Sequence, residues 1–435
     1  MFINNSLRLI FIQYFILSAG LSLDIETSNI SYYRLRNMIN ENYKGRKLHR
    51  GMLNKNNTWL SAELFNENNR EVYFFEFMGD PDNKILLTKK KKKWEENYSY
   101  DARQLLWSKN HPHRFSFIHW NKDKYEYEFY RAKFEQTPAK IKQIIRLGTE
   151  RTVIGIDDFH LTSVLGKDRL IAVIRDDIKR KYIPVLGQDI YGNNELRINY
   201  LNPKEIFVSS DNNNFNNPVL ITTKNEDTKT DIYYFRSVQL MHDTNNVMIY
   251  SDNLAKDLYQ SNPSFSASGQ YISFVENSRE SSEKSKYPVM NLFICETPEF
   301  DSTSQQYIQG DCFFIDDSVI TEERLGIASG VVENYSWHPN DDILFYAKED
   351  GSRSFSRIWY YDPHTGIKKP LDTGMKNNHS ISFSQDGEFI IFNAFTYKSN
   401  TNKHYSNCPS DLTSKNNDCC GIPSSVICVA ELQIH

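Results

Sequence analysis

The chain has 435 residues, more than one hydrophobic core usually organises, so it holds either several ordinary domains or one architecture built by repetition. A net charge of −4 with 24% charged residues excludes a global electrostatic pull toward nucleic acid or anionic membranes. Aromatic residues reach 14%, with 26 Tyr and 27 Phe against only 18 Gly, which favours strands, because aromatic and β-branched side chains fit a pleated, half-buried surface.

The first residues have the layout of a secretory signal peptide. Arg8 precedes an apolar run from Leu9 to Leu17, and the small residues Ser18, Ala19, Gly20 and Ser22 follow. The run is broken by Gln13 and is shorter than the roughly 20 apolar residues a spanning helix needs, so residues 1–22 are expected to be removed rather than kept as an anchor. Residues 23–50 then form a leader, in which Leu35 and Met38 have helical spacing and point to a short helix over 31–43. A repetitive unit fills 51–435.

Repetition shows as related strings. The clear copies are "FSASGQYISFVE" from Phe265, "WHPNDDILFYAKE" from Trp337 and "FSQDGEFIIFNAF" from Phe383. Weaker copies start at Trp59, Trp107, Val164 and Tyr200. Each has a large apolar residue, a polar turn and an alternating apolar run, the pattern of a β-hairpin whose turn needs positive backbone angles. After Trp337, "IWYYD" and "IKKPLD" flank the turn "PHTG", giving a second strand pair and a unit of four strands. The last unit shows only three strands, and a strand from the N-terminal region is expected to complete it, because a closed ring leaves no sheet edge open.

Cys295, Cys312, Cys408, Cys419, Cys420 and Cys428 all lie in the last third. In an exported chain they read as disulfide staples. Cys295 and Cys312 flank a polar loop between "LFIC" and "CFFID", and a bridge there contributes about 3 kcal/mol by loop entropy. The other four allow three pairings, and zinc is the weaker alternative for them because no CxxC is present.

These repeats resemble those of TolB-type β-propellers, whose repeat runs aromatic-Ser-Pro-Asp-Gly into an alternating strand. Phe383, Ser384, Asp386, Gly387, Ile390 and Phe392 match best, followed by Phe265, Ser266, Gly269, Ile272 and Phe274. Ala267 and Gln385 replace the usual Pro, while the copy at Trp337 keeps Pro339 and has Asn340 and Asp341 in place of Asp-Gly. The expected fold is all-β, a propeller of six or seven four-stranded antiparallel blades. The resemblance implies a periplasmic interaction or assembly role if the source is a Gram-negative bacterium, and it transfers no partner; an unidentified protein partner, no nucleic acid and a monomeric chain are expected.

Chemistry is harder to find. No G-x-S-x-G nucleophile elbow occurs, and no room for a hydrolase domain is expected after the last strand. His111, His113 and His119 cluster locally, and with His160, His242 and His338 they are the residues that a metal-dependent carbohydrate lyase built on a similar propeller would need near the ring centre. As turn residues they are more simply structural, so no catalytic, cofactor or metal site is expected. The run "TKKKKKW" over 88–94 reads as a solvated turn. The polar insertions 209–218, 276–288 and 396–425 are loops, and the last is the first candidate for a recognition surface.

Overall fold

Alternation makes the strands and glycine makes the turns. Ile272 and Phe274 lie on one side of a strand and are fully buried, while Gly269 and Gly387 turn the chain before their strands at φ +74° and +80°, angles at which a side chain is strained. The computed structural model describes strands and short connections from residue 23 to residue 435. Residues 1–22, 34–46, 90–97, 187–195, 209–217, 237–246, 250–257, 279–289, 320–334, 350–355, 399–403 and 406–422, with some shorter connections, lie outside the described residues.

The first strand among the described residues is β1 (Ile25–Tyr33). Group I is β2 (Lys47–Leu53), β3 (Trp59–Asn66), β4 (Asn69–Glu76) and β5 (Lys84–Leu86), followed by a small ribbon of β6 (Thr88–Lys89) and β7 (Tyr98–Ser99). Group II is β8 (Ala102–Trp107), β9 (Arg114–Asn121), β10 (Glu126–Gln136) and β11 (Ala139–Thr149). Group III is β12 (Ile154–Val164), β13 (Lys167–Asp176), β14 (Lys181–Leu186) and β15 (Leu196–Arg197). Group IV is β16 (Pro203–Val208), β17 (Val219–Lys224), β18 (Thr230–Phe235) and β19 (Val247–Ile249).

Group V holds β20 (Leu258–Phe265), β21 (Tyr271–Ser278) and β22 (Met290–Glu296), then a ribbon of β23 (Glu299–Asp301) and β24 (Gln306–Ile308), then its outer strand β25 (Cys312–Val319). Group VI is β26 (Tyr335–Trp337), β27 (Leu344–Glu349), β28 (Ser356–Asp362) and β29 (Ile367–Pro370). Group VII starts with β30 (Lys376–Phe383) and β31 (Phe389–Lys398), carries the short β32 (His404–Tyr405) on β31, and continues with β33 (Pro423–Ile434). Pairing within every group is antiparallel. Groups IV, V and VI join through the single pairings Thr230↔Tyr259 and Val319↔Lys348.

The first strand of each group lies innermost, and β12, β16, β20, β26, β30, β2 and β8 neighbour one another in that order. Contact between β10 and β12 brings the second group beside the third. Four-stranded sheets arranged radially around a shared centre are a β-propeller. β1 pairs with β33 from Ile25↔Ile434 to Tyr33↔Ile427, so the leader supplies the fourth strand of group VII. Ser31–Tyr33 are extended rather than helical, because they pair with the buried β33; the rest of the expected helix lies outside the described residues.

Two repeat starts shift. Trp59 opens a second strand, β3, rather than ending an inner one, because Asn54 caps the turn before it by accepting from the Thr58 and Trp59 amides at 2.8 and 2.9 Å. The residues "KEIFV" after Tyr200 form the inner strand β16 itself, and residues 209–217 after it lie outside the described residues. Of the charge run, Thr88–Lys89 pair with β7 and residues 90–94 lie outside the described residues.

Apolar cores sit between neighbouring groups. Phe74, Phe115, Phe117 and Phe134 join groups I and II, Phe345, Ile390 and Phe392 join VI and VII, and Leu60, Phe75, Ile391 and Ile427 join VII and I. Burying each such side chain contributes about 1.5–3 kcal/mol. Inner strands are bulged, and Arg50, Asn262 and Ser380 hold equivalent bulge positions at φ 50°, 53° and 55°. Carbonyls at or near two of these bulges are satisfied by the adjoining group: Tyr335 Oη donates to Asn262 O, and Ser382 Oγ donates to Gly51 O at 2.6 Å.

Candidate interaction surface

The turn after each described inner strand docks on its neighbour. Ser268 donates to Asp342 from its amide at 2.8 Å and its hydroxyl at 2.5 Å, and His364 Nε2 lies 3.4 Å from the same carboxylate. Burial raises the Asp342 pKa, but the hydrogen bonds from Ser268 outweigh it and hold the group below the usual carboxylate range. Asn340 Nδ2 donates to Asp386 O at 2.6 Å, and Asn57 Nδ2 donates to Asp386 Oδ2 at 2.5 Å. Asn54 Nδ2 continues the belt to Pro112 O at 2.8 Å. This face of the ring is stapled by polar contacts, so the loops on it stand on a rigid base.

One connection departs from this pattern. Between β22 and β25 the chain makes an excursion closed at its base by the Cys295–Cys312 disulfide, whose cysteines face each other in register with Cα atoms 4.0 Å apart. Above the bridge, Glu296 N donates to Asp311 O at 2.9 Å. Gly310 passes so close that an added Cβ would lie 2.5 Å from Glu296 O. At the tip, Asp301 accepts from the Thr303 amide at 2.8 Å and the Ser304 hydroxyl at 2.6 Å, and the Ser304 hydrogen bond leads the causes that lower its pKa.

The ribbon lies on group IV. The guanidinium of Arg236 is 4.0 Å from the centre of the Phe300 ring, Tyr307 stands edge-on to Phe300 at 5.1 Å, and Tyr234 stands edge-on to Tyr307 at 5.9 Å. Burial pushes the Tyr234 phenol up to about 12, with Tyr307 adding to the rise and Arg236 opposing it. Ile308 points outward, 59% exposed.

Next to it runs an aromatic ladder. Phe274, Phe293 and Phe314 face one another across β21, β22 and β25, with Phe274 and Phe293 stacked at 5.6 Å and Phe314 edge-on to Phe293 at 5.6 Å. Exposure grows outward along it, from none at Phe274 to 57% at Phe314. Phe313 points to the other face of the strand and is 48% exposed. Exposed aromatic rings on a braced strand are a feature of surfaces that bind. The sequence hint was "CFFID", two aromatics in a row where alternation would place one on each face.

The histidines are spread among separate structural roles. His111 and His113 sit in the turn after β8, where the His111 amide donates to Ser108 Oγ at 2.9 Å and the His113 carbonyl accepts from Phe134 N at 2.7 Å. His119 is buried on β9 near Tyr130. His338 bridges two groups, with Nε2 3.1 Å from Gly387 O and Nδ1 2.8 Å from Asp341 Oδ2. The side chain of His160 and all of His242 lie outside the described residues. Among the described residues no three His, Cys, Asp or Glu side chains are grouped to hold a metal ion.

Of the remaining cysteines, Cys428 carries a free thiol rather than a bridge, because β33 turns it into the apolar core beside Phe392 and Ala430. Burial pushes its pKa up. Cys408, Cys419 and Cys420, with most of the 396–425 insertion, lie outside the described residues. No helix among the described residues is long and apolar enough to cross a membrane.

No family model and no curated protein matches the chain. Solved structures do. An oligogalacturonate lyase from Vibrio parahaemolyticus aligns with a TM-score of 0.51 at 8% identity over 94% of this chain and 98% of that one. An oligogalacturonate lyase in complex with manganese aligns at 0.50 and 9% over 94% and 96%. TolB from Acinetobacter baumannii aligns at 0.39 and 9% over 79% of this chain and 66% of that one. At such identities the likeness is one of fold, and the fold the chain shares with the two lyases is the β-propeller.

Proposed function

We propose that this chain is an exported, non-enzymatic propeller of seven blades, one per strand group, that serves as a protein-binding or assembly scaffold in the periplasm or outside the cell. In this reading residues 1–22 are removed as a signal peptide and the mature chain is a monomer. The observation that carries it is the pair of exposed rings Phe313 and Phe314 on the two faces of β25, beside the disulfide-closed excursion on which Ile308 is exposed, since large apolar side chains exposed at one place on a surface are a feature of binding sites. The disulfide also accords with an oxidising compartment.

A photo-crosslinking residue at position 313, and at the exposed Lys55 as a control, tests this in the native envelope. A discrete crosslinked protein from position 313 alone supports the scaffold. No adduct, or the same adducts from both positions, overturns it. Deletion within 396–425 in the same assay asks whether that insertion shares the surface.

A second reading, a metal-dependent carbohydrate lyase, draws on the likeness of fold to oligogalacturonate lyases, one of them in complex with manganese. Its test is the appearance of unsaturated product from oligogalacturonate with added manganese. Turnover that a His119→Ala or His338→Ala variant abolishes without unfolding would establish it in place of the scaffold.

A further inference from the structure

We propose that the outer edge of β25 takes up an extended segment of a partner protein as an added strand, and that this segment carries alternating apolar side chains with a Lys or Arg at each end. The proposal rests on the scaffold reading and names the chemistry of its partner.

Among the described residues the edge is open. β25 has eight residues; on its inner side it pairs with β22, and on its outer side Val319 is the one residue paired to another described strand, at Lys348. From Cys312 to Phe314 its outward N–H and C=O groups form a template for another chain, and the stretch ends at Ile315, whose carbonyl accepts from Lys368 Nζ at 3.1 Å. Proteins usually blunt such edges. The outer strands β5, β15, β19 and β29 are only two to four residues long. The longer β1 is bulged at Asn29 with φ 47°. At Cys312–Phe314 there is no Lys, no Pro and no bulge; the register first shifts beyond Phe314.

Side chains and charge say what fits. Phe313 and Phe314 lie on opposite faces, 48% and 57% exposed, so both flanks of an added strand would meet an aromatic ring, and its residues opposite them should be apolar. Asp311 and Asp317 are exposed at the two ends of this stretch, separated by about 20 Å of extended chain. Lys348 lies 3.4 Å from Asp317 and offsets part of its charge, which leaves Asp311 as the stronger pole. An acidic residue at each end of an apolar edge selects a cationic residue at each end of its occupant. The disulfide and the Phe274–Phe293–Phe314 ladder hold the edge in shape before binding, which lowers the ordering cost of association.

The probe is a short capped peptide of alternating valine and threonine with lysine at each end. Three controls accompany it: a version with glutamate ends, a version methylated on alternate backbone amides, and the protein variants Phe314→Lys and Asp311→Lys. Fluorescence anisotropy and amide hydrogen exchange read the result on the full-length oxidised protein, with thermal melting to show that each variant is folded. The expected outcome is binding of the lysine peptide with slowed exchange at Phe313–Ile315, at least about tenfold weaker for each variant, and lost for both control peptides. Equal binding of the methylated or glutamate peptide, indifference to Phe314→Lys, or no binding overturns the proposal. So does a concentration-dependent dimer abolished by Phe314→Lys that the peptide fails to compete, since the occupant is then a second copy. If the peptide fails while position 313 still captures an envelope protein, the added strand falls and the scaffold stands; if both fail, both fall.

Discussion

Trp337 at the end of one inner strand donates its indole N–H to Ser273 Oγ on the second strand of the preceding group, 2.8 Å away and fully enclosed. The same pairing recurs at the other side of the ring, where Trp107 Nε1 donates to Ser61 Oγ at 2.9 Å. Where the inner strand ends in Phe383 instead, the position before it is Phe345, and the rings meet edge-on at 5.0 Å. Blade contacts therefore use matched residues, tryptophan with serine and phenylalanine with phenylalanine, so that each polar donor meets an acceptor and each apolar ring another ring.

Replacing that serine should cost in proportion to what the tryptophan has left. Ser273→Ala strands a buried N–H and should lower stability by about 1–3 kcal/mol. Ser61→Ala should cost less, because Trp107 Nε1 also donates to Met52 O at 3.1 Å. Urea unfolding of the two variants checks the order, and adding Trp337→Phe to Ser273→Ala should recover part of the loss.

The glycines of the two clearest repeats should also respond differently. Gly269 and Gly387 both have positive φ, yet a Cβ on Gly269 would meet nothing within 4 Å, while one on Gly387 would lie 2.4 Å from His338 Nε2. Gly269→Ala should cost about 1 kcal/mol for the left-handed backbone alone. Gly387→Ala carries that cost and also displaces the His338 bridge to Gly387 O, so its melting temperature should fall further.

Much of the scaffold was legible in the repeats because blades share one requirement. Phe265, Ile272, Phe274, Phe383, Ile390 and Phe392 recur since every blade presents equivalent apolar faces to its neighbours, and the closing strand followed from the need to cover an edge. What distinguishes the blades was not legible. The bulges at Arg50, Asn262 and Ser380 have three different side chains, so no string marks them. Trp59 misled because a turn built from Asn54 lacks the Ser-Gly signature, and Tyr200 because the alternating "KEIFV" looks like a second strand and forms the inner one. Cys295 and Cys312 were readable as a pair from their flanking strands, whereas the exposure of Phe313 and Phe314 depends on β25 being outermost, which only pairing order reveals.

Reduction should act at one place in the described structure. The Cys295–Cys312 bridge closes a sequence separation of 17 and contributes about 3 kcal/mol, so dithiothreitol should lower the melting temperature of the native chain, and a Cys295→Ser/Cys312→Ser variant should start lower and lose this part of the response. Cys428, with its thiol pKa raised by burial, should resist alkylation until denaturant is added, as peptide mapping by mass spectrometry would show. Rapid native labelling at Cys428 would contradict its place in the core.

Acid should find a defined weak point between groups V and VI. Asp316 is buried on β25 and accepts from Lys348 Nζ and, at 2.8 Å, from Tyr346 Oη, with Lys368 Nζ 3.4 Å away. Burial raises its pKa, but the Lys348 and Tyr346 hydrogen bonds and the two lysine charges outweigh that and hold it below the ordinary carboxylate value. A folded pKa below the unfolded one, near about 3.9, means that the stabilisation is complete above that pH and is lost as pH falls through the folded value. Asp316→Asn removes the carboxylate and leaves Lys348 without its nearest charge, so near neutral pH it should cost about 3 kcal/mol. The gap between variant and parent should begin to close as the pH drops below about 4 and should vanish below the folded value, where the parent's folded carboxylate is also neutral. Chemical denaturation across that range measures both effects, and a gap that stays constant with pH would show that Asp316 acts through packing rather than charge.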